Sequence, residues 1–248
     1  MSTSISVVTA TFNAAALLPR LVASLQAQTD LDFEWVVCDG GSGDETMVIL
    51  AQAQSSMAQV VVSSQADFGI YDALNRGVRM ARGTYYIVLG ADDTLEPTAI
   101  AHYKQAIAAS GADLVTACVE SNGRIQSARR ADRAWLYGQF AHISGHAVGL
   151  AIKRSLHDTV GLYSRKYPIA ADQWFVMSAV AKGASVSRHD FVAGRFEHAL
   201  GTSGQDVLGT LVESFRIQVQ LGRSLAVQLV LLLIRVWRFR RFIVRVRS

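Results

Sequence analysis

Between residues 5 and 120 the chain alternates short β-branched runs with longer stretches of helical spacing. The runs ISVVTATF (5–12), FEWVVCD (33–39), QVVVSS (59–64), YYIVLG (85–90) and DLVTACVE (113–120) read as strands. Segments 15–28, 45–54, 71–81 and 97–110 carry helical patterns between them. Apolar strands alternating with helices predict an α/β fold with a mostly parallel central sheet and helices on both faces. Ligands of such sheets bind beyond the carboxyl ends of the strands. After residue 120 the rhythm weakens. NGRIQSARRADRAW reads as loops or a hairpin, SVSRHDFVAGRFEH as strand-like, and the chain turns helical from about 206. The expected division is a body at 1–205 and a C-terminal helical tail at 206–248.

The strand ends carry the polar residues. The first run ends in TATFN, with Thr9, Thr11 and Asn13. The second ends in DGGSGDET, with Asp39, Ser42 and Asp44. The third leads to ADFGIYDALNRG, with Asp67, Asp72, Asn75 and Arg76, and the fourth to ADD, with Asp92 and Asp93. Each has an ordinary reading. DGGSGD makes a good turn, Asp44 a helix cap, Asp72 a charge at a helix start, and Asn75 a solvated helix residue. Their recurrence at successive strand ends predicts one acidic crevice. No GxxxxGK[ST] and no GxGxxG occurs, which excludes a P-loop and a dinucleotide fingerprint. An acidic crevice that takes a phosphate-bearing ligand needs a divalent cation between the two, and oxygen ligands point to Mn²⁺ or Mg²⁺. On this reading Asp93 holds the metal and Asp92 bonds ligand hydroxyls.

TATFN, VVCDGGSGDET, DFGIYDALNRGVRMARGTYYIVLGADD and GHAVGLAIKRSL…YPIAADQW together resemble the family 2 glycosyltransferases of the GT-A fold. The likeness is to bacterial exopolysaccharide, capsule and O-antigen transferases, and the resemblance spans about residues 4–205. It implies an inverting, metal-dependent transfer from a nucleotide-sugar, usually UDP-linked, to a lipid-linked or glycan acceptor. Thr9, Thr11 and Asn13 would line the nucleotide pocket. Asp39 would bond the base, with Ser42 nearby. Asp67 and Asp72 would face the nucleotide-sugar, with Asn75 and Arg76 close to them. Asp93 would be the metal ligand beside Asp92, Asp172 the catalytic base, and His146 an acceptor-side residue. LGTSG (200–204) resembles a loop that closes over the diphosphate. Asp172 also stands where a helix cap would, and His146 has an ordinary structural reading.

Half of the 248 residues are hydrophobic and 18% are charged, which suits a well-buried core. The net charge of +4 belongs to the tail. The last 14 residues, from Arg235, hold six arginines and no acid, leaving 18 basic against 20 acidic residues elsewhere. A body near −2 argues against nucleic acid as the partner. Cys38 and Cys118 follow apolar runs and read as buried thiols. The start MSTSISVVTA shows no secretory signal pattern. LAVQLVLLLI (225–234) is shorter than the ~20 residues that span a bilayer. With the basic, aromatic segment after it, it predicts a helix lying on the inner face of the cytoplasmic membrane, Arg235, Arg238, Arg241 and Arg245 forming one stripe. Packing on the body is the alternative, as is a solvated loop for Arg124, Arg129, Arg130 and Arg133 rather than a grip on an acceptor diphosphate. Two rival functions remain. A sugar nucleotidyltransferase needs a Gly-rich, Arg-containing first loop that TATFNAAALLPR lacks. A non-catalytic nucleotide-sugar-binding scaffold of a membrane-associated assembly complex would release no nucleotide.

Overall fold

The computed structural model describes residues 4–129, 131–196 and 206–245. The LGTSG segment and Arg130 lie outside the described residues. The helices on the first half of the chain are α1 (Leu18–Gln26), α2 (Thr46–Ser56), α3 (Ile70–Met80) and α4 (Ala99–Ser110). Strands β1 (Ile5–Thr11), β2 (Phe33–Asp39), β3 (Val60–Ser64), β4 (Tyr85–Val88) and β6 (Leu114–Ser121) sit where the apolar runs predict them. The remaining strands are β5 (Thr94–Leu95), β7 (Arg124–Gln126), β8 (Leu150–Lys153) and β9 (Val186–Arg195). The sheet runs β3-β2-β1-β4-β8-β6-β9-β5, with β7 paired to β6.

The apolar runs are continuous because both faces of the sheet are covered. Ile5 and Val7 of β1, Trp35 and Val37 of β2, and Ile87 of β4 pack with α1, α2 and α4. Their neighbours Val8, Val36, Cys38 and Tyr86 point the other way, into a second core. That second core includes α3, α7 (Ala171–Ala181) and Ile217 of α8 (Val207–Gln220), with α6 (Leu156–Val160) packed against it. The α8 helix is therefore packed into the body, with Ile217 wholly buried.

One strand departs from the simple alternation. The fifth predicted strand, β6, does not pair with β4. β8 lies between them, antiparallel to both, with Ile87 opposite Ala151 and Val115 opposite Ala151. An antiparallel neighbour begins where β4 ends, so residues just before β8 arrive beside residues just after β4.

The C-terminal pair is completed by α9 (Leu225–Arg245). Both helices hold a one-turn helix, α5 (Ala134–Tyr137). Carbonyls near the end of so short a helix have few internal partners. Gln218 Nε2 donates to Ala134 O and Gln228 Nε2 to Trp135 O, each at 2.9 Å, and Arg235 donates to Leu136 O. Arg235 therefore turns inward and leaves the expected arginine stripe. The outward side is apolar, with Leu233 69% and Trp237 68% exposed, while Gln228 is 1% exposed. Among the described residues no helix is long and apolar enough to cross a membrane.

Asn75 ties α3 to the segment before α7. Its Nδ2 donates to Tyr163 O at 2.9 Å and its Oδ1 accepts from Tyr163 N at 2.8 Å. Asn75 is 6% exposed, so it pins backbone rather than facing solvent. Losing both bonds strands two buried backbone groups at about 1–3 kcal/mol each. Asn75→Ala is expected to lower the melting temperature by several degrees, at about 2–4 °C per kcal/mol for a chain this size. An unchanged melting temperature would show that the tie contributes nothing.

Candidate functional site

The parallel register sets the first half of the site. Thr11 lies opposite Asp39, and Asp39 opposite Ser64, at the last pairs of β1, β2 and β3. Thr11 Oγ1 donates to Asp39 Oδ1 at 3.1 Å and Ser64 Oγ to Oδ2 at 2.7 Å. Gly41 N and Ser42 N each donate to Oδ2 at 2.9 Å, and Ser42 Oγ donates to Oδ1. Burial raises the Asp39 pKa, but the bonds from Ser42, Ser64 and Gly41 outweigh it and hold it below the ordinary value. Five donors fill the roughly four lone-pair positions of a carboxylate. Asp39 is thus committed to shaping its own loop, and a base that bonded it would have to displace one of these donors.

Asn13 and Ser42 join the first two loops. Ser42 Oγ accepts from Asn13 N at 2.8 Å, and Asn13 Oδ1 accepts from Gly43 N at 2.9 Å. Asn13 adopts φ +48°, a left-handed conformation that asparagine tolerates. Asp44 accepts from Thr46 N at 3.0 Å and Ala15 N at 3.1 Å, which makes it a turn residue just before α2, whose N-cap is Glu45. Thr9 stands apart. It is fully buried, its hydroxyl accepts from Trp35 Nε1 at 3.0 Å, and it fastens β1 to β2 inside the first core instead of lining the open edge. The sequence reading missed Phe12, which is 66% exposed beside Asn13. A large ring left in solvent at a strand end is the kind of flat surface on which a base can stack.

The third loop and α3 close over this edge. Arg76 donates to Asp39 O at 2.7 Å. Asp67 Oδ1 accepts from Gly69 N at 2.9 Å, and its other oxygen approaches Gly40 so closely that an added Cβ there would sit 3.0 Å away. Asp72 meets Arg165 at 2.6 Å, and this contact holds its carboxyl below the usual range. The same guanidinium lies 5.1 Å over the ring of Phe68.

Asp172 lies on the facing helix. It occupies the first turn of α7, whose N-cap is Ala170, so Asp172 is not the capping residue. The single Tyr71 hydroxyl proton is shared between Asp172 Oδ1 at 2.7 Å and Ile169 O at 2.9 Å. Burial and the neighbouring Asp172 hold the Tyr71 phenol protonated well above its ordinary pKa, so it stays a donor. One oxygen of Asp172 is held in place by this bond, and the residue is half-buried.

Asp92 and Asp93 follow β4, two strand spacings from Asp39, roughly 10 Å at the usual interval. Asp93 is 1% exposed, and Gly90 N donates to its Oδ2 at 2.8 Å. Both carboxylates fold back over Gly90, where an added Cβ would come within 2.7 Å of Asp92 Oδ1 and 2.9 Å of Asp93 Oδ2. Burial, then repulsion from Asp92, pushes the Asp93 pKa up to about 7. A carboxylate so placed fits a bound cation, which would offset both penalties. His146 Nδ1 lies 3.6 Å from Asp93 Oδ2, brought there by the antiparallel insertion of β8. The imidazole stacks on Phe196 with 4.4 Å between centroids. No group of three or more His, Cys, Asp or Glu that could hold a metal occurs among the described residues, so a cation here would have only the adjacent Asp92 and Asp93 carboxylates from the chain.

Comparison with known proteins agrees with this architecture. Residues 6–167 match the model of "Glycosyl transferase family 2". The chain is 31% identical over 238 residues to a PGL/p-HBAD biosynthesis glycosyltransferase of Mycobacterium bovis, covering 94% of this chain and 90% of the relative. Its fold is similar to that of S. aureus TarS in complex with UDP-GlcNAc, with a TM-score of 0.72 at 18% identity over 95% of this chain and 73% of that one. The mannosyltransferase PcManGT from Pyrobaculum calidifontis, in complex with GDP-Man and Mn²⁺, gives 0.65 at 16% identity over 96% of this chain and 75% of that one. A mostly parallel sheet of GT-A type, an acidic carboxyl edge and these relatives converge on one assignment: the chain belongs to glycosyl transferase family 2 and is a glycosyltransferase.

Proposed function

We propose that the enzyme is an inverting, divalent-cation-dependent transferase that moves a sugar from a nucleotide-sugar, in the first instance a UDP-sugar, to a lipid-linked or glycan acceptor in cell-surface polysaccharide or glycolipid synthesis. The observation that carries this reading is the buried Asp93 carboxylate beside Asp92, at the carboxyl edge of the parallel strands. Asp93, with Asp92 beside it, would hold Mn²⁺ or Mg²⁺ through carboxylate oxygen, and His146 would stand on the acceptor side. When bound, the ion supplies Lewis-acid neutralisation of the diphosphate leaving group.

The chain's own groups do the rest. Asn13, the Asp39–Ser42 loop and Phe12 form one wall for the nucleotide, and Asp67 closes it from the third loop. Asp72, next in the chain to the Tyr71 that bonds Asp172, would meet the sugar together with its partner Arg165. Asp172 accepts the proton of the acceptor hydroxyl as that oxygen attacks C1, and Tyr71 keeps its carboxylate aimed. Attack by one oxygen with departure of the diphosphate inverts the anomeric centre. The GDP-Man complex of PcManGT and the UDP-GlcNAc complex of TarS show two donors on this fold, so the base is decided by assay.

The outward face of α9 supports the peripheral membrane part of the reading. Leu233, Ile234 and Trp237 are exposed together, with Arg238, Arg240 and Arg241 one turn further on. Such a helix lies in the headgroup region of an anionic leaflet, each surface arginine contributing about 1 kcal/mol. That would bring the crevice to a lipid-linked acceptor on the cytoplasmic side.

Two outcomes are expected. With a panel of UDP-sugars, Mn²⁺ and a membrane lipid extract, the wild type should release UDP from one donor and invert its anomeric centre by NMR. Asp172→Asn should bind UDP normally and turn over at least about a hundredfold more slowly. UDP binding without release from any donor would favour a non-catalytic scaffold, and a retained configuration would refute inversion. Separately, the protein should sediment with vesicles containing phosphatidylglycerol and lose this on Trp237→Glu with Leu233→Glu. Equal partitioning of the double variant would remove α9 as the anchor.

A further inference from the structure

The segment that carries Asp172 is gripped from α8 as well as from α3. Glu213 is 6% exposed, and its Oε2 accepts from Ile169 N at 3.1 Å and from Ala170 N at 2.8 Å. Ala170 is the N-cap of α7, two residues before Asp172. A buried carboxylate at the start of a helix is favoured by the unpaired N–H groups there. Gly209 and Glu213 share one face of α8 at a four-residue spacing. Gly209 allows the close approach, since a Cβ there would come within 2.5 Å of Ile169 Cδ1. One helical turn past Glu213, Ile217 is buried in the core that contains Ala170 and Ala171. Further along α8, Gln220 Oε1 accepts from Tyr167 Oη, and Arg216 stacks over the Tyr167 ring at 5.5 Å.

Residues 167–172 therefore lie between two helices. Tyr71 of α3 bonds Ile169 O and Asp172, and Glu213 of α8 bonds Ile169 N and Ala170 N. We propose that Glu213 is a positioning residue for the proton-accepting carboxylate: it fixes where α7 begins, and so where Asp172 projects into the crevice. The first helix of the C-terminal pair, α8, is then a support of the active site and not only part of a tail. This inference rests on Asp172 being the base.

The test measures UDP release across the UDP-sugar panel with Mn²⁺, and UDP affinity by calorimetry, for Glu213→Ala, Glu213→Asp and Glu213→Gln. Asp keeps the charge but falls short by one methylene, whereas Gln keeps an oxygen at the same reach. Ala and Asp are expected to lower kcat about 10- to 100-fold, the scale of a small misplacement of a catalytic group. The donor KM and the UDP affinity should stay within about twofold, and Gln should recover most of kcat. Amide hydrogen exchange of the 167–172 peptide should quicken in Ala and Asp and stay slow in Gln. Equal kcat in all three folded variants would overturn the proposal. So would a fall in UDP affinity that matches the fall in kcat, or loss of fold in both Ala and Asp. Asp172→Asn in the same assay separates the two claims. If it turns over normally, the base assignment fails, whatever Glu213 does.

Discussion

The parallel pairing of β3, β2, β1 and β4 is the constraint on which the site depends. In-register parallel strands finish together, so the residues that follow them share one edge of the sheet. That alignment sets Thr11, Asp39 and Ser64 abreast and lets a single carboxylate organise three loops. The same alignment places Asp92 and Asp93 after β4 on that edge. Burying both faces of these strands under α1, α2 and α4 on one side and α3 and α7 on the other holds the register fixed, because a one-residue slip would turn Val7 and Val8 into each other's core.

What turns an ordinary α/β edge into this site is added by the second half of the chain. β8 inserts antiparallel beside β4 and delivers His146 to Asp93. The short β5–β9 pairing, Thr94 opposite Arg195, fastens the chain just beyond Asp93 and brings Phe196 under the imidazole. α7 and α8 bring Asp172 to Tyr71 from the opposite side. The wall proposed for the nucleotide thus comes from local loops after successive strands. The side proposed for proton transfer comes from contacts about a hundred residues apart in sequence, such as Tyr71 with Asp172.

The sequence made the first of these layers legible and the second only by resemblance. Strands β1 to β4 and β6 are visible as apolar runs because both their faces are covered. β8, four residues long, is not, and neither is its position between β4 and β6, because strand order depends on contacts that periodicity does not encode. Asp39, Asp92 and Asp93 stand out as acids at strand ends. The roles of Thr9 and Asn75 do not. Thr9 and Thr11 share a face of the same strand, yet Thr9 meets the Trp35 indole inside the core and Thr11 reaches Asp39 at the edge. Asn75 reads as polar and solvated until Tyr163 is brought over it. Arg235 likewise reads as one of a stripe until α5 offers it a carbonyl. Glu213 carries no motif, and only the packing of α8 on residues 169–170 reveals it.

The central claim is that a cation at Asp93 joins this acidic edge to an anionic donor. Calorimetric titration of UDP, with Mn²⁺ and with EDTA, on the wild type and on Asp93→Asn, tests it most directly. The account predicts tight binding only for the wild type with Mn²⁺, weakened at least about tenfold, or 1.4 kcal/mol, by EDTA or by the substitution. Affinity in EDTA and in Asp93→Asn as high as that of the wild type with Mn²⁺ would contradict it, because the carboxylates would then be tolerating the diphosphate without a cation between them.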